Sequence, residues 1–510
     1  MAFENLGEFL NLLADRGELT RVSAAVDARL ELAAIVRRIR ESGPVLLFDQ
    51  VTTAGGSAQS IPVAANIFGT ESRLLTALGA NSLSDITERV NALTKPGHPG
   101  NWLEAIQQVP LVAEASRWPV RNTGTAMSQQ VVLLGSDVDL TQLPIPVCWP
   151  DEKLPSLNSA QIYIEAPWDD VPAGATTTNS DASTDDGNGP VVCRRRIASR
   201  VPVQVRDHNT VYLHWTPHDE AWRTLAGFRQ RGQQMPVAIV LGGDPVLTYT
   251  ASVPLPPHVD PLVFAGFLRQ ESVTVSPGRS VDISIPSGAE LILEGLIDPE
   301  AAFHEAPPIG LSTGSYSTHR EVPVATVTAV THRANPILPV LVPGRSPAEE
   351  DWLTRGTEQI FLPLIRLTLP EVVDVAIPRS GAGRHFAFVS LHKHYPQQAR
   401  KVMHGLWGMT RLSTVKMLIA VDADVDVHDT EAVWFAVGTN THPGRDTLFS
   451  EGPADWHDHA APMAGVGHRI GIDATRKCAA EGHPREWPES LQVDEPTRTK
   501  VNARWDEYGI

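Results

Sequence analysis

The 510-residue chain is poor in cysteine, in positive charge and in long apolar runs, and each deficit removes a class of protein. Its three cysteines, Cys148, Cys193 and Cys478, are far apart and odd in number. They offer neither a disulfide framework nor a zinc-ligand spacing, so a reducing cytoplasm is the expected setting. Lys and Arg total 42 against 59 Asp and Glu, a net charge of −17. That balance argues against nucleic acid or an anionic membrane as partner, while leaving room for a local basic pocket. No run of 18 apolar residues occurs, so no transmembrane helix is expected. Residues 1–135 lack both G-x-G-x-x-G and G-x-x-x-x-G-K-[ST], which excludes those nucleotide-binding folds there. The opening MAFENLGEFLNLL has no basic n-region and carries apolar residues at helical spacing. It reads as an amphipathic helix rather than a signal peptide.

What remains is ordinary for a globular chain: 42% hydrophobic and 20% charged residues. At ~150 residues per domain, about three domains are expected. Residues 1–135 read as α/β, with helices over 4–16, 31–42, 71–78 and much of 81–109, and strands in VLLFDQV and IPVAANIFG. A proline-rich crossing, TQLPIPVCWPDEKLPS, opens a second domain over 136–335. There strand-like runs dominate and two helices, 218–231 and 261–269, interrupt them, as in a mixed β-barrel. Inside it, residues 168–190 hold almost nothing to bury and read as a mobile loop. Residues 336–510 start with a connector helix over 347–365. Strands and helices then alternate in a βαβ pattern, a second α/β domain.

One stretch carries the shape of a site. Glu290 to Tyr316, ELILEGLIDPEAAFHEAPPIGLSTGSY, is a strand, then an irregular acidic segment, then a glycine-punctuated loop. Carboxylates on a loop behind a rigid strand suit acid–base chemistry, and a solvated hairpin is the plain alternative. The run DWHDHAAPMAGVGHR, with His457, His459 and His468 and with His442 upstream, has H-x-H spacing. It lacks a regular second set of ligands, so a metal hydrolase is poorly supported.

Taken together, PVAIVLGGDPVLTYTASVPLPPHVDPLVFAGFLRQESV, SGAELILEGLID, PIGLSTGSY, LPVLVPGRSPAEE, PEVVDVAIP, KHYPQQARKVMHGLWG and VKMLIAVDADVDVHDTEAVWFAVGTNTHPGRD make the chain resemble the UbiD-type decarboxylases. The resemblance implies an N-terminal α/β segment, a central split β-barrel that binds flavin, and a C-terminal α/β oligomerisation domain. It also implies non-oxidative, reversible decarboxylation of an aromatic, heteroaromatic or α,β-unsaturated acid, free or as a CoA thioester. The cofactor would be prenylated FMN, supplied by a separate prenyltransferase, with a divalent metal (Mn or Fe) and K+ at its phosphate. Homodimers or hexamers are implied as well.

Residue by residue, the likeness assigns Arg200 to the substrate carboxylate and His218, 18 positions later, to the metal. Thr250, Ser252, Val253 and Pro254 fall on the flavin loop, and Lys393 near the phosphate. Three positions depart from the pattern. Arg195 stands where an asparagine ligand is expected. Pro261, next to Asp260, stands where a glutamate ligand is expected. The loop motif E-G-P-[FY]-G-[ED] becomes Ala306-Pro307-Pro308-Ile309-Gly310-Leu311. Arg195 is therefore expected to pair directly with the phosphate, any metal to rest on His218 and Asp260, and Glu305 to supply the remaining acid if a one-residue bulge brings it inward, with His304, Ser312 or a bound water as the alternative proton source. A remodelled binding or assembly subunit without flavin or metal is the second reading.

Overall fold

The computed structural model describes residues 2–39, 42–53, 58–59, 61–94, 115–167, 194–256, 259–318, 321–489 and 491–509. The expected mobile loop at 168–190, Cys193 and the far end of the helical stretch over 81–109 lie outside these residues.

The N-terminal helix Leu6–Asp15 starts where the Asn5 side chain accepts the Glu8 N–H at 3.1 Å, an N-cap. Its Leu6, Phe9, Leu10 and Leu13 stripe is buried against the central sheet and the 261–269 helix, in one cluster with Val240 and Phe267. Helices Glu31–Ile39 and Glu71–Leu78 flank a four-stranded sheet ordered Leu19–Val22, Val45–Phe48, Val63–Ala65, Leu338–Val340. The last strand comes from beyond the barrel and pairs in parallel with Val63–Ala65, so the chain returns to the N-terminal sheet before entering its C-terminal part.

The centre is an antiparallel nine-stranded sheet. Its path runs from Arg194–Arg200 through Gln161–Pro167, Met235–Leu241, Leu291–Ile297, Val324–His332, Thr210–Leu213 and Val203–Val205 to Ser156–Leu157, with Val131–Leu134 added on Val324–His332. The two ends of this path do not pair among the described residues, which leaves the barrel split. Helices Pro245–Ser252 and Pro261–Arg269 pack across it, each beginning with an aspartate N-cap and a proline at N1.

The C-terminal sheet is ordered Val372–Ala376, Phe386–Leu391, Met417–Asp422, Val466–Asp473, Thr447–Pro453. The three inner strands are parallel and both outer strands antiparallel. Its faces alternate as a doubly covered sheet requires. Ala387, Val389, Leu418 and Ala420 meet helix Gln398–Trp407, while Phe388, Ile419 and Val421 meet helix Thr430–Asn440. The expected connector is two helices, Glu349–Thr354 and Thr357–Thr368, broken at Gly356, whose φ of 81° is left-handed.

Candidate active site

A cavity of about 750 Å³ lies between the split barrel and the C-terminal sheet. Six of the ten residues singled out from the sequence line it: Arg195, Arg200, His218, Ser252, Val253 and Pro254. Five arginines and four carboxylates line it, a positive balance in a chain of net charge −17.

Arg200 ends the outer strand Arg194–Arg200, and its guanidinium is held from three sides. Nε donates to Ser252 Oγ at 2.8 Å, Nη1 to the Asn158 carbonyl at 3.2 Å, and Nη2 to Glu350 Oε1 at 2.8 Å. Its side chain is 6% exposed and that of Glu350 20%, the exposed part of Glu350 facing the cavity. Glu350 belongs to the short helix Glu349–Thr354 and lies 150 positions from Arg200 in sequence. Burial pushes its carboxyl upward, but Arg200, then Arg384 and His457, outweigh that and hold it below the ordinary glutamate value.

The opposite wall comes from the C-terminal domain. Arg384 follows two consecutive left-handed residues, Ala382 (φ 49°) and Gly383 (φ 90°). Burial lowers the Arg384 guanidinium, against Glu350 and Asp455. His457 and His218 are likewise depressed by burial, against the fields of Asp455 and Asp219. The His218 ring meets Trp456 edge-on at 5.8 Å.

The glycine loop forms the roof. The buried Glu152 carboxylate accepts the backbone N–H groups of Cys148 (2.8 Å), Trp149 (3.1 Å) and Gly310 (2.7 Å). A Cβ on Gly310 would lie 2.3 Å from the Trp149 ring, so only glycine allows this approach. The clamp sets Leu311, 7% exposed, into the cavity wall where the resembling family carries an acid.

Four expected site residues are elsewhere. Glu305 does not bulge inward. His304–Glu305 pairs antiparallel with Glu321–Val322, which leaves Glu305 exposed and outside the cavity lining while Ala306 is buried on Tyr212 and Val322. Thr250 is not on a loop: it lies in helix Pro245–Ser252, buried, with Oγ1 donating to the Leu247 carbonyl. The Asp244-Pro245 pair is the N-cap and N1-proline signature that marks this helix in the sequence. Lys393 is tied into the C-terminal domain, where Nζ meets Glu481 at 2.8 Å, Thr475 Oγ1 at 3.0 Å and the Arg476 carbonyl. Against the upward push of burial, Lys393 and two backbone N–H groups draw Glu481 down to about 2.

Asp260 is fully engaged. Oδ1 caps the 261–269 helix through Leu262 N (2.7 Å) and Val263 N (3.3 Å), and Oδ2 accepts Arg196 Nη1 at 2.7 Å. Arg195 pairs with Glu220 on the same wall. Among the described residues no three His, Cys, Asp or Glu side chains gather as a ligand set. The donor set does not fit a divalent metal: the carboxylate is spent on a helix cap and an ion pair, and an arginine stands at the third ligand position. A polar ligand that both donates and accepts hydrogen bonds does fit. Asn158 Oδ1, Ser199 Oγ and His457 Nδ1, all in the wall, are buried without a hydrogen-bond partner. Each such atom costs about 1–3 kcal/mol until a ligand or water meets it.

Sequence reading missed Glu350, Arg384 and Asp455, and met His457 only as part of a poorly supported metal cluster. The acidic run Glu349-Glu350-Asp351 reads as ordinary first-turn acids, and only the fold reveals that one of them faces Arg200.

Comparisons with known proteins agree along the whole length. The N-terminal, Rift-related and C-terminal domain models of 3-octaprenyl-4-hydroxybenzoate carboxy-lyase match residues 10–93, 192–346 and 351–474. An uncharacterised protein of Archaeoglobus fulgidus is 36% identical, covering 99% of both chains. One of Aquifex aeolicus is 33% identical, covering 100% of this chain and 99% of its own. Among solved structures, the fold resembles the UbiD-class enzyme HmfF of Pelotomaculum thermopropionicum, determined with FMN (TM-score 0.74, 23% identity, covering 98% of this chain and 99% of HmfF). It also resembles vanillic acid decarboxylase of Sedimentibacter hydroxybenzoicus in its closed form (TM-score 0.82, 23% identity, 99% of each chain). The open form of that enzyme gives 0.74 at the same identity, covering 100% of this chain and 99% of its own. With three domain models in order and full-length relatives above 30% identity, the chain belongs to the UbiD family and is a carboxy-lyase, a decarboxylase of the UbiD type.

Proposed function

We propose that the chain decarboxylates an aromatic or α,β-unsaturated carboxylic acid on prenylated FMN held in this cavity. The Arg200–Glu350 pair is the observation that carries the reading. Arg195, His218 and the backbone of Ser252–Pro254 would hold the flavin, with Arg195 exchanging Glu220 for the phosphate and no metal ligated. When bound, the prenylated flavin supplies the sink for the electron pair left as CO2 departs. A prenyltransferase would supply it.

The protein residues supply position and a proton. Arg200 offers a forked contact to the substrate carboxylate, with Ser252 and Asn158 fixing the plane of the guanidinium. Before substrate enters, Glu350 is ionised beside two arginines. A second carboxylate on Arg200 is a like charge next to Glu350 and raises its proton affinity. Glu350 thus takes up a proton on binding and gives it to the carbon that loses CO2, filling the role that Glu305 and Leu311 cannot. CO2 leaves, and the electron pair it leaves behind, which the bound flavin would hold meanwhile, returns to that carbon to bond the one proton that Glu350 gives. Leu311 lines the reacting end with hydrocarbon, which keeps water off the developing carbanion and favours a flat apolar acid.

Phe435 (73% exposed) and Phe449 (71% exposed) on the C-terminal domain support self-association, which light scattering at graded concentration tests. The activity is tested by reconstituting the chain with prenylated FMN and presenting a panel of aromatic, heteroaromatic and unsaturated acids, free and as thioesters. CO2 release or solvent-deuterium exchange at the α or ring carbon is expected. A fully loaded protein that turns over and exchanges none of them would overturn the reading.

A further inference from the structure

A second cavity, of about 580 Å³, lies behind the first, between helix Thr357–Thr368 and the C-terminal sheet. The two meet at Pro254, Pro256, Gly383, Arg384 and Gly408, which line both. The walls differ in character: Phe361, Leu364, Ile365, Met409, Leu412 and Val415 make the second largely apolar. Both volumes lie in the range of about 300–1,000 Å³ usual for small-molecule sites.

Asp351, Arg355, Arg379, Arg384 and His428 also reach this cavity, and among its polar groups Glu358 has a carboxyl oxygen left over. Glu358 is 8% exposed, and while its carboxyl accepts the Ile377 backbone N–H, Oε2 is buried without a hydrogen-bond partner. Burial pushes the carboxyl up to about 7, so both protonation states are available near neutrality. The neighbouring His428 turns its Nε2 to Asp374 Oδ2 at 3.1 Å rather than to Glu358. A buried carboxyl oxygen without a partner in the wall of a largely apolar chamber is costly unless a ligand meets it. A hydroxyl suits it best, since it donates to a carboxylate and accepts from a carboxylic acid.

We propose that the second cavity binds the far end of the substrate: an apolar extension of the reacting acid that ends in an alcohol or phenol hydroxyl hydrogen-bonded to Glu358. The acid head then sits at Arg200 and Glu350, and the arm passes the left-handed turn Ala382–Gly383. This deepens the decarboxylase reading by naming a substrate class, and it rests on that reading for the head group only.

The arm site is tested apart from turnover by titrating full-length, flavin-free protein with para-butylphenol in a calorimeter. Stoichiometric binding is expected, at least tenfold weaker for butylbenzene and for Glu358→Leu, and lost in Leu364→Trp or Met409→Trp, each checked for a native melting transition. No binding to the wild type, as when a second copy of the chain fills the chamber, overturns the proposal. So does equal binding by well-folded Leu364→Trp and Met409→Trp. In loaded protein, Leu364→Trp should raise KM at least tenfold for an acid with a hydroxyalkyl arm and leave a short acid unchanged. If phenol binds as described but no acid is turned over, the decarboxylase reading fails and the arm site stands.

Discussion

Binding an acid at Arg200 should draw a proton from solvent, and the size of the effect follows from the pair. Glu350 begins below the ordinary glutamate value of about 4.3 because Arg200 and Arg384 face it. A second carboxylate on the same guanidinium lies within about 5 Å. At an effective dielectric of about 20 the repulsion is ~3 kcal/mol, and it pushes Glu350 upward. Proton uptake should therefore be smallest at alkaline pH and grow as pH falls. The assay is calorimetric titration of the flavin-free protein with an unreactive aromatic acid, in two buffers of different ionisation enthalpy at each pH. Glu350→Gln should abolish this uptake and bind the acid at least tenfold tighter at pH 8, about 1.4 kcal/mol, because the competing charge is gone. His457→Asn separates the share of the imidazole, which the same anion raises from its depressed position. Buffer-independent binding enthalpies, or unchanged affinity in Glu350→Gln, would refute the coupling.

Other outcomes follow from particular contacts. Gly310→Ala forces a methyl to 2.3 Å from Trp149 and should cost about 1–3 kcal/mol in a urea melt while displacing Leu311. Asp260→Ala removes an N-cap and the partner of Arg196 together. It should lose about 1 kcal/mol for the cap alone and more for the stranded cation, read by chemical denaturation. Glu358 has a folded pKa of about 7, above its unfolded value near 4.3, so it costs nothing below about pH 4 and destabilises the fold as pH rises toward 7. Glu358→Gln should therefore gain stability at pH 8 relative to pH 5, at most about 3 kcal/mol, in paired thermal melts. Purified protein should carry no stoichiometric manganese or iron, and His218→Ala should leave the metal content unchanged by mass spectrometry.

Local signals in the sequence were sufficient for most elements and insufficient for the pairings that make the site. The stripe Leu6, Phe9, Leu10, Leu13 and the proline-led 261–269 helix fold as their spacing requires. Arg200 and the Ser252–Pro254 segment reach the cavity because they sit on or beside strong elements. Glu350 stayed hidden because its meaning lies in a partner 150 residues away, and the H-x-H spacing of His457 suggested a metal ligand where the fold instead places it in the wall with Arg200 and Glu350. Glu305 failed for the opposite reason: nearness in sequence to the acid position suggested a bulge, whereas pairing with Glu321 turned the side chain outward. Asp260 illustrates a further limit, since a carboxylate before a helix serves equally as a ligand or as a cap, and only the location of Arg196 decides between them.

The central claim is that Glu350, held by Arg200, delivers the proton that replaces CO2. The direct test is single-turnover decarboxylation in D2O by protein loaded with prenylated FMN, comparing wild type with Glu350→Gln at equal flavin content. The account predicts one deuterium at the carbon that carried the carboxylate for each CO2 released, with the variant slower by ~10²–10⁴-fold. Equal rates and equal deuterium incorporation in the two proteins would contradict it.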